Sequence, residues 1–274
     1  MKTLVIGGTG KTGRKVVQRL TDLGLPVRIG SRSNIPGFDW ENKDSWKEAL
    51  HEISQVYITF QPDLAVPGSV EAIQALVALA AKSGVKKLVL LSGRGEPEAQ
   101  LCEQIVADSG LDWTVVRASW FNQNFNEGYL LESVRAGYVA LPVGDVGEPF
   151  IDTDDIADVV TAALTDDSHN GKIYEVTGPR LLTFKQAISE IADASGREIV
   201  FQEVSMEEYT AMLTTYEVPQ DVIEFLSYLF VEVLDGRNAS ISHGVEEALG
   251  RKPTDFSEFA KLAAAGGAWV PLEA

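Results

Sequence analysis

"MKTLVIGGTGKTGRKVVQRLTDLG", residues 1–24, decides how the rest of the chain is read. Residues 2–6, KTLVI, form a short apolar run, and glycines follow at positions 7, 10 and 13. Val16, Val17 and Leu20 then fall at helical spacing before Gly24 closes the segment. The order is strand, glycine turn, helix. In such a turn the first glycine permits a tight reversal, the second lets backbone approach a diphosphate, and the third lets the helix pack against the strand. The helix start adds amide N–H groups and the positive end of its dipole. Gly7, Thr9, Gly10, Lys11, Thr12 and Gly13 are therefore the expected cradle for a dinucleotide.

Working outward, the alternation recurs. PVRIGS, QVYITF, VKKLVLLS, DWTVVRAS and KIYEVTG read as strands, while SVEAIQALVALAAKSG, EPEAQLCEQIVADSG and DTDDIADVVTAALTD read as helices. Short β-rich runs separated by helices of ordinary length mean βαβ units, so the fold class is α/β: a Rossmann-like doubly wound parallel sheet. After residue 120 the rhythm loosens, with FNQNFNEGYLLESVRAG helical and YVALPVGDVGEPF strand and turn. From Pro179 the pattern is helix, strand, a long helical stretch from Met206 to Leu234, and a last helix in TDFSEFAKLAAAGGAW. This predicts an NAD(P)-binding domain over 1–178 and a smaller substrate-binding portion over 179–274, packed over the carboxyl edge of the sheet. The Asp152, Asp154 and Asp155 cluster reads as helix capping.

Composition excludes several classes. The chain is 45% hydrophobic over 274 residues, enough for a full core. Its 23 basic and 40 acidic residues give a net charge of −17, which repels polyanions, so nucleic acid is not an expected partner. A single cysteine, Cys102, excludes an internal disulfide, and His51, His169 and His243 have no paired spacing, so no metal is expected. The apolar run at the start is too short for a signal-peptide core and none reaches the roughly 18 residues of a membrane span, so a cytoplasmic protein without a membrane partner is expected. EVPQDVIEFLSYLFVEVL has more apolar residues than one helix face needs, which fits either a roof over a pocket or the contact of a homodimer.

Coenzyme choice turns on the end of the second strand. An NAD site places an Asp or Glu there, but this chain reads Arg28-Ile29-Gly30-Ser31-Arg32-Ser33, with no carboxylate before Asp39. Arg32 and the Ser31 or Ser33 hydroxyl suit a 2′-phosphate, so NADP(H) is expected over NAD(H). Asp39 is placed to accept from the adenine amine, and Phe60 and Gln61, after the next long strand, to flank the coenzyme.

Taken together, GGTGKTG, the Arg-bearing turn, LVLLSG, WTVVRASWFNQNF and PFIDTDDIADVV resemble an NmrA-like, atypical short-chain dehydrogenase/reductase over nearly the whole chain. Within that group FDWENKDSW, EVTGPRLLTFKQAISEI and ISHGVEEALGRKPTDFSEFAKLAAAGGAW are similar to the festuclavine/agroclavine dehydrogenase type of ergot-alkaloid reductase. The resemblance implies a Rossmann fold, NADP held by the glycine turn, and a nicotinamide pocket lined by the loop after Phe60, by Ser92 and Gly93, and by residues 119–124.

Against that pattern, SGRGEPEAQLCEQIVADSG, residues 92–110, lacks the Tyr and Lys that protonate a carbonyl oxygen in typical members. No lysine occurs between Lys87 and Lys172, and only Ser92 has a counterpart, as the expected catalytic hydroxyl. A general acid contributes typically about 10²- to 10⁴-fold, so simple ketones are poor candidates. An iminium accepts hydride at carbon with no proton in that step. A quinone or enone needs only a donor for the developing oxyanion, and Ser92 is offered for it. Trp120, Phe121 and Asn124, with Gly93, are the expected surface for a flat small-molecule substrate. Two functions stand: an NADPH-dependent reductase of pre-activated electrophiles, and a non-catalytic NADP-binding sensor that regulates a partner.

Overall fold

The computed structural model describes residues 1–271. The elements run β1 (Thr3–Ile6), α1 (Gly13–Asp22), β2 (Val27–Gly30), α2 (Asp44–Ala49), β3 (Gln55–Ile58), α3 (Ser69–Lys82), β4 (Lys87–Gly93), α4 (Pro97–Ala107), β5 (Asp112–Ala118), α5 (Asn124–Glu127), α6 (Leu131–Ala136) and β6 (Tyr138–Leu141). They continue with α7 (Thr153–Thr165), β7 (Lys172–Val176), α8 (Phe184–Ser195), β8 (Val200–Glu203), α9 (Met206–Thr215), α10 (Gln220–Tyr228), α11 (Gly244–Leu249) and α12 (Phe256–Ala265).

Every residue of β1 and of β3 is buried, which requires sheet neighbours on both sides and helices on both faces. The six-stranded sheet supplies them in the order β2-β1-β3-β4-β5-β7, and all its pairings are parallel. The chain leaves β1 for β2 on one side and returns to β3 on the other, so the topological switch point lies between β1 and β3. Leu4, Ile6, Val56, Ile58, Leu88 and Leu90 form the sheet side of one core, against Ile73, Leu76 and Ala80 of α3 and Cys102 and Val106 of α4. On α1, Val16 and Leu20 are buried as their spacing predicts, whereas Val17 is only half-buried.

The chain divides into two compact units, and neither is a single run of residues. The first comprises Met1–Ala118, Thr153–Val176 and His243–Lys252; the second comprises Ser119–Asp152, Thr177–Ser242 and Pro253 onward. This division differs from a single cut after Gly178. The chain leaves the sheet at the end of β5 and comes back through α7 to lay down β7, so sheet strands lie on both sides of an excursion.

Within the second unit β6 and β8 pair in parallel, from Tyr138↔Val200 to Leu141↔Glu203. Its core is aromatic: Phe125, Phe150, Phe184, Phe256, Phe259 and Trp269. The helix expected over FNQNFNEGYLLESVRAG is broken in two, because Gly128 takes an extended backbone (φ −123°, ψ −166°) between α5 and α6. The long helical stretch resolves into α9, α10 and a π-helical turn at Leu229–Val233. Capping boxes start α8 (Thr183 with Gln186) and α9 (Ser205 with Glu208). Arg180 ties this unit together, meeting Glu190 of α8 at 2.6 and 2.7 Å and Asp255, the N-cap of α12, at 2.7 and 2.8 Å.

Candidate active site

The glycine turn follows β1 directly, beside the switch point. Gly7 is left-handed (φ +66°), and a Cβ there would lie 2.2 Å from Thr59 Oγ1. A Cβ on Gly13 would lie 2.1 Å from the Gly7 carbonyl oxygen, so the first turn of α1 rests on the loop itself. The Gly7 and Gly8 amides donate to Gly30 O at 2.9 and 3.3 Å, and the Gly10 amide donates to Gly7 O at 2.8 Å. Thr9 and Gly10 are exposed at the crest. A close-wrapped backbone crest leading into a helix N-terminus, with no side chain to obstruct it, fits a dinucleotide diphosphate. Lys11 flanks that crest, half-buried. Thr12 is buried, and its Oγ1 accepts a hydrogen bond of 3.0 Å from Tyr57, whose phenol burial pushes up. Its side chain supports the loop from beneath.

At the end of β2, Arg32 is exposed and makes no ion pair among the described residues. Ser31 donates to Asn34 Oδ1 at 2.5 Å and lies 3.2 Å from the Ser33 hydroxyl. Asp39 is held in its own turn. Its carboxylate accepts from the Glu41 amide at 3.1 Å, and its carbonyl accepts from Trp46 Nε1 at 2.6 Å. Trp40 Nε1 donates to Thr59 O at 3.1 Å, and its ring centroid is 4.7 Å from that of Phe60. Phe60 is thus fixed by packing, while Gln61 is exposed.

Ser92 sits in a different environment from the one its sequence position suggests. The register Ser92↔Arg117↔Glu175 places three polar side chains in one row across β4, β5 and β7. Ser92 is buried and donates to Glu103 Oε1 of α4 at 2.6 Å. Arg117 binds both oxygens of Glu103, at 2.9 and 2.5 Å, and reaches Glu175 at 3.3 Å. Arg94, also buried, closes the row on Glu175 at 2.7 and 2.9 Å. The hydroxyl offered as an oxyanion donor therefore already donates its hydrogen bond to a carboxylate. Glu103 is paired with Arg117, and Arg94 with Glu175, so the charges of the row balance within it.

Sequence reasoning missed a pair of acids at the same edge. Asp63, in the loop after β3, and Glu96, the residue before α4, are hydrogen-bonded to each other. Glu96 is 6% exposed and its carboxyl group folds back over Gly93, where a Cβ would meet Oε2 at 2.2 Å. Gly93, expected to face substrate, is the residue that makes room for this group. Burial first, and the Asp63 charge second, push the Glu96 carboxyl up to about 9. Only the combination of a glycine and a glutamate three residues on hints at this in the sequence.

In the second unit, Trp120 donates its backbone amide to Glu148 Oε1 at 3.1 Å, and its ring lies 5.6 Å from Phe184 and 5.8 Å from Phe230. Phe121 bridges to Ile151, and the Asn122 amide donates to Ile151 O at 2.9 Å. Asn122, within the 119–124 stretch expected to line the pocket, is fully buried with neither side-chain amide atom hydrogen-bonded among the described residues. Gln123 donates to Asp152 Oδ1 at 2.9 Å, and Asn124 opens α5. In the first unit, Asp154 takes ion pairs from Lys15 at 2.6 Å and Arg19 at 2.9 Å, and Asp155 one from Arg251 at 2.6 Å. These two are helix-joining carboxylates as well as first-turn residues of α7.

Among the described residues no three His, Cys, Asp or Glu side chains are arranged to hold a metal, and no helix is long and apolar enough to cross a membrane.

A sequence profile described as NAD(P)H-binding matches residues 7–167. The chain is 30% identical to agroclavine dehydrogenase of Claviceps fusiformis, over 94% of this chain and 96% of that protein. Two solved structures share its fold. The Citrobacter sp. triphenylmethane reductase complexed with NADP(H) has a TM-score of 0.76 at 20% identity, covering 96% of this chain and 100% of that one. The Escherichia coli NADPH-dependent quinone oxidoreductase complexed with NADPH has a TM-score of 0.76 at 21% identity, covering 96% and 99%.

Proposed function

This chain belongs to the NAD(P)H-binding, NmrA-like atypical short-chain dehydrogenase/reductases and is an NAD(P)H-dependent oxidoreductase; from that premise we propose that it uses NADPH to reduce a pre-activated electrophile, an iminium, quinone or enone. The observation that carries this reading is the fate of Ser92. With its hydroxyl hydrogen-bonded to buried Glu103, and with no Tyr/Lys pair in the segment after β4, the chain lacks the phenol and ammonium that polarise an ordinary ketone.

The residues then divide by task. Gly7, Thr9, Gly10, Lys11, Thr12 and Gly13 receive the diphosphate, with Thr12 acting through its backbone. Arg32 with Ser31 or Ser33 binds the 2′-phosphate, Asp39 accepts from the adenine amine, and Phe60 and Gln61 flank the coenzyme. When bound, the reduced nicotinamide supplies a hydride. Trp120, Phe121 and Asn124 offer flat apolar area and an amide to a planar substrate. An iminium needs nothing more, because hydride at carbon neutralises it. The names of the similar proteins, referring to agroclavine, triphenylmethane and quinones, support this choice of electrophile.

The sealed environment of Ser92 also suits a second reading, an NADP-binding sensor without turnover. The discriminating experiment is NADPH oxidation, followed by the absorbance of the reduced nicotinamide, across a panel of quinones, enones and cyclic iminium salts. Steady turnover of at least one class is expected. Tight NADP binding with no turnover of any would establish the sensor.

A further inference from the structure

A quinone or enone, unlike an iminium, must gain a proton as well as a hydride. The polar row through Ser92 is engaged within itself, and other acids stand at the carboxyl edge of the sheet. Asp63 and Glu96 stand there, one in the loop after β3 and one after β4, adjacent strands of the sheet beginning at the switch point.

The geometry separates the roles of the two acids. Burial raises the Asp63 carboxyl, and hydrogen bonds from the Ala65 amide at 2.9 Å and from the Leu64 amide offset part of that rise. Glu96 has no such donors. Its Oε2 is buried and unpartnered among the described residues, held over Gly93. The other titratable groups facing it are Glu98 and Glu103 of α4; Glu103 is neutralised by Arg117, and Glu98 Oε2 is likewise buried without a partner. The charges that act on Glu96 are those of Asp63, Glu98 and Glu103, all acidic, and they favour a proton on the pair. Asp63 is half-buried and so the more exposed residue of the pair.

We infer that the Asp63–Glu96 pair is the proton source for substrates whose reduction leaves an anion, with Glu96 carrying the proton and Asp63 replenishing it. This rests on the reductase reading above. For an enone, a C–H bond forms at the β-carbon with hydride from the reduced nicotinamide, leaving an enolate, and the coenzyme is oxidised by two electrons. The O–H bond of the pair then breaks, its proton passes to the enolate, and its electron pair stays on the carboxylate. Solvent returns one proton through Asp63, so each turnover consumes one substrate, one NADPH and one proton.

The pair is testable without coenzyme. Glu96 remains protonated in the folded protein between its ordinary 4.5 and about 9, whereas in the unfolded chain it ionises at 4.5. The folded state binds the extra proton across that window, so stability falls as pH rises through it. Thermal melts of the coenzyme-free protein are expected to show this fall, reduced in Glu96→Gln, and infrared spectra at neutral pH are expected to show a protonated carboxyl band that the variant lacks. With coenzyme, Glu96→Gln and Asp63→Asn are expected to slow enone or quinone turnover by roughly 10²-fold or more while changing cyclic iminium turnover less than about threefold. Wild-type enone turnover is expected to decline above about pH 9, with no matching decline for the iminium.

Equal losses on both substrate classes, or no protonated carboxyl at neutral pH, would overturn the inference. If Glu96→Gln fails to fold, Asp63→Asn and the wild-type pH profiles decide between the same outcomes. Wild-type protein that turns over no member of the panel would overturn the reductase reading and the inference with it; turnover of enones undiminished in both variants would overturn the inference alone.

Discussion

Gly13 has no space for a methyl group: its Cβ would stand 2.1 Å from one backbone oxygen and 2.7 Å from the adjoining carbonyl carbon. Neither atom belongs to a side chain that can turn aside. Gly13→Ala is therefore expected to lower stability by about 1–3 kcal/mol, the usual cost of overpacking, and to lose NADPH affinity because the loop must open. Denaturant melts and coenzyme fluorescence titrations check both, and an unchanged affinity would remove Gly13 from the cradle. Arg32 presents the opposite case, an exposed cation whose removal costs the fold nothing. Arg32→Asp is expected to weaken NADPH by about 1.5–3 kcal/mol, ten- to a hundredfold, and NADH far less. Equal losses measured by calorimetry would refute the 2′-phosphate contact.

At the scale of elements, β1, the glycine turn and α1 were legible because one apolar run and three glycines allow few other arrangements. The strands of the sheet were legible for the same reason, each being a short β-rich run with a helix after it. What could not be read was side-chain pairing between elements. Ser92 meets Glu103 only because a strand row and a helix face coincide, and Asp63 meets Glu96 only because β3 and β4 are neighbours. Gly128 did not announce itself as a break, since its effect depends on an extended conformation that sequence leaves open.

The Arg180 clamp between α8 and α12 gives an element-scale prediction. The Arg180 guanidinium holds the Asp255 carboxyl far below its ordinary 3.8, an effect moderated by partial exposure of both groups. A depressed carboxylate contributes stability that is present above 3.8 and is lost as pH falls through the folded value. Arg180→Met is therefore expected to unfold at a higher pH on acid titration and to lose about 1 kcal/mol at neutrality, a modest figure because solvent screens the pair. Coincident acid-unfolding curves for the two proteins, followed by circular dichroism, would show that the clamp does not act this way.

Over the whole molecule, a chain with a net charge of −17 binds an anionic coenzyme only where local groups overcome the general field. In the proposed reading the exposed glycine crest, the start of α1 and Arg32, gathered at the ends of β1 and β2, are those groups. The division into units is the feature least legible from sequence. Composition does not change where the chain leaves β5, and only the return through α7 to β7 and again at His243–Lys252 shows that the first unit is built from three segments.

The most direct measurement uses NADPH deuterated at the transferable position of its nicotinamide, incubated with the protein and a cyclic iminium salt, with the amine product examined by mass spectrometry. One deuterium on the former iminium carbon is predicted. NADPH that binds at the glycine turn yet stays unoxidised, with no label reaching any product, would contradict the account.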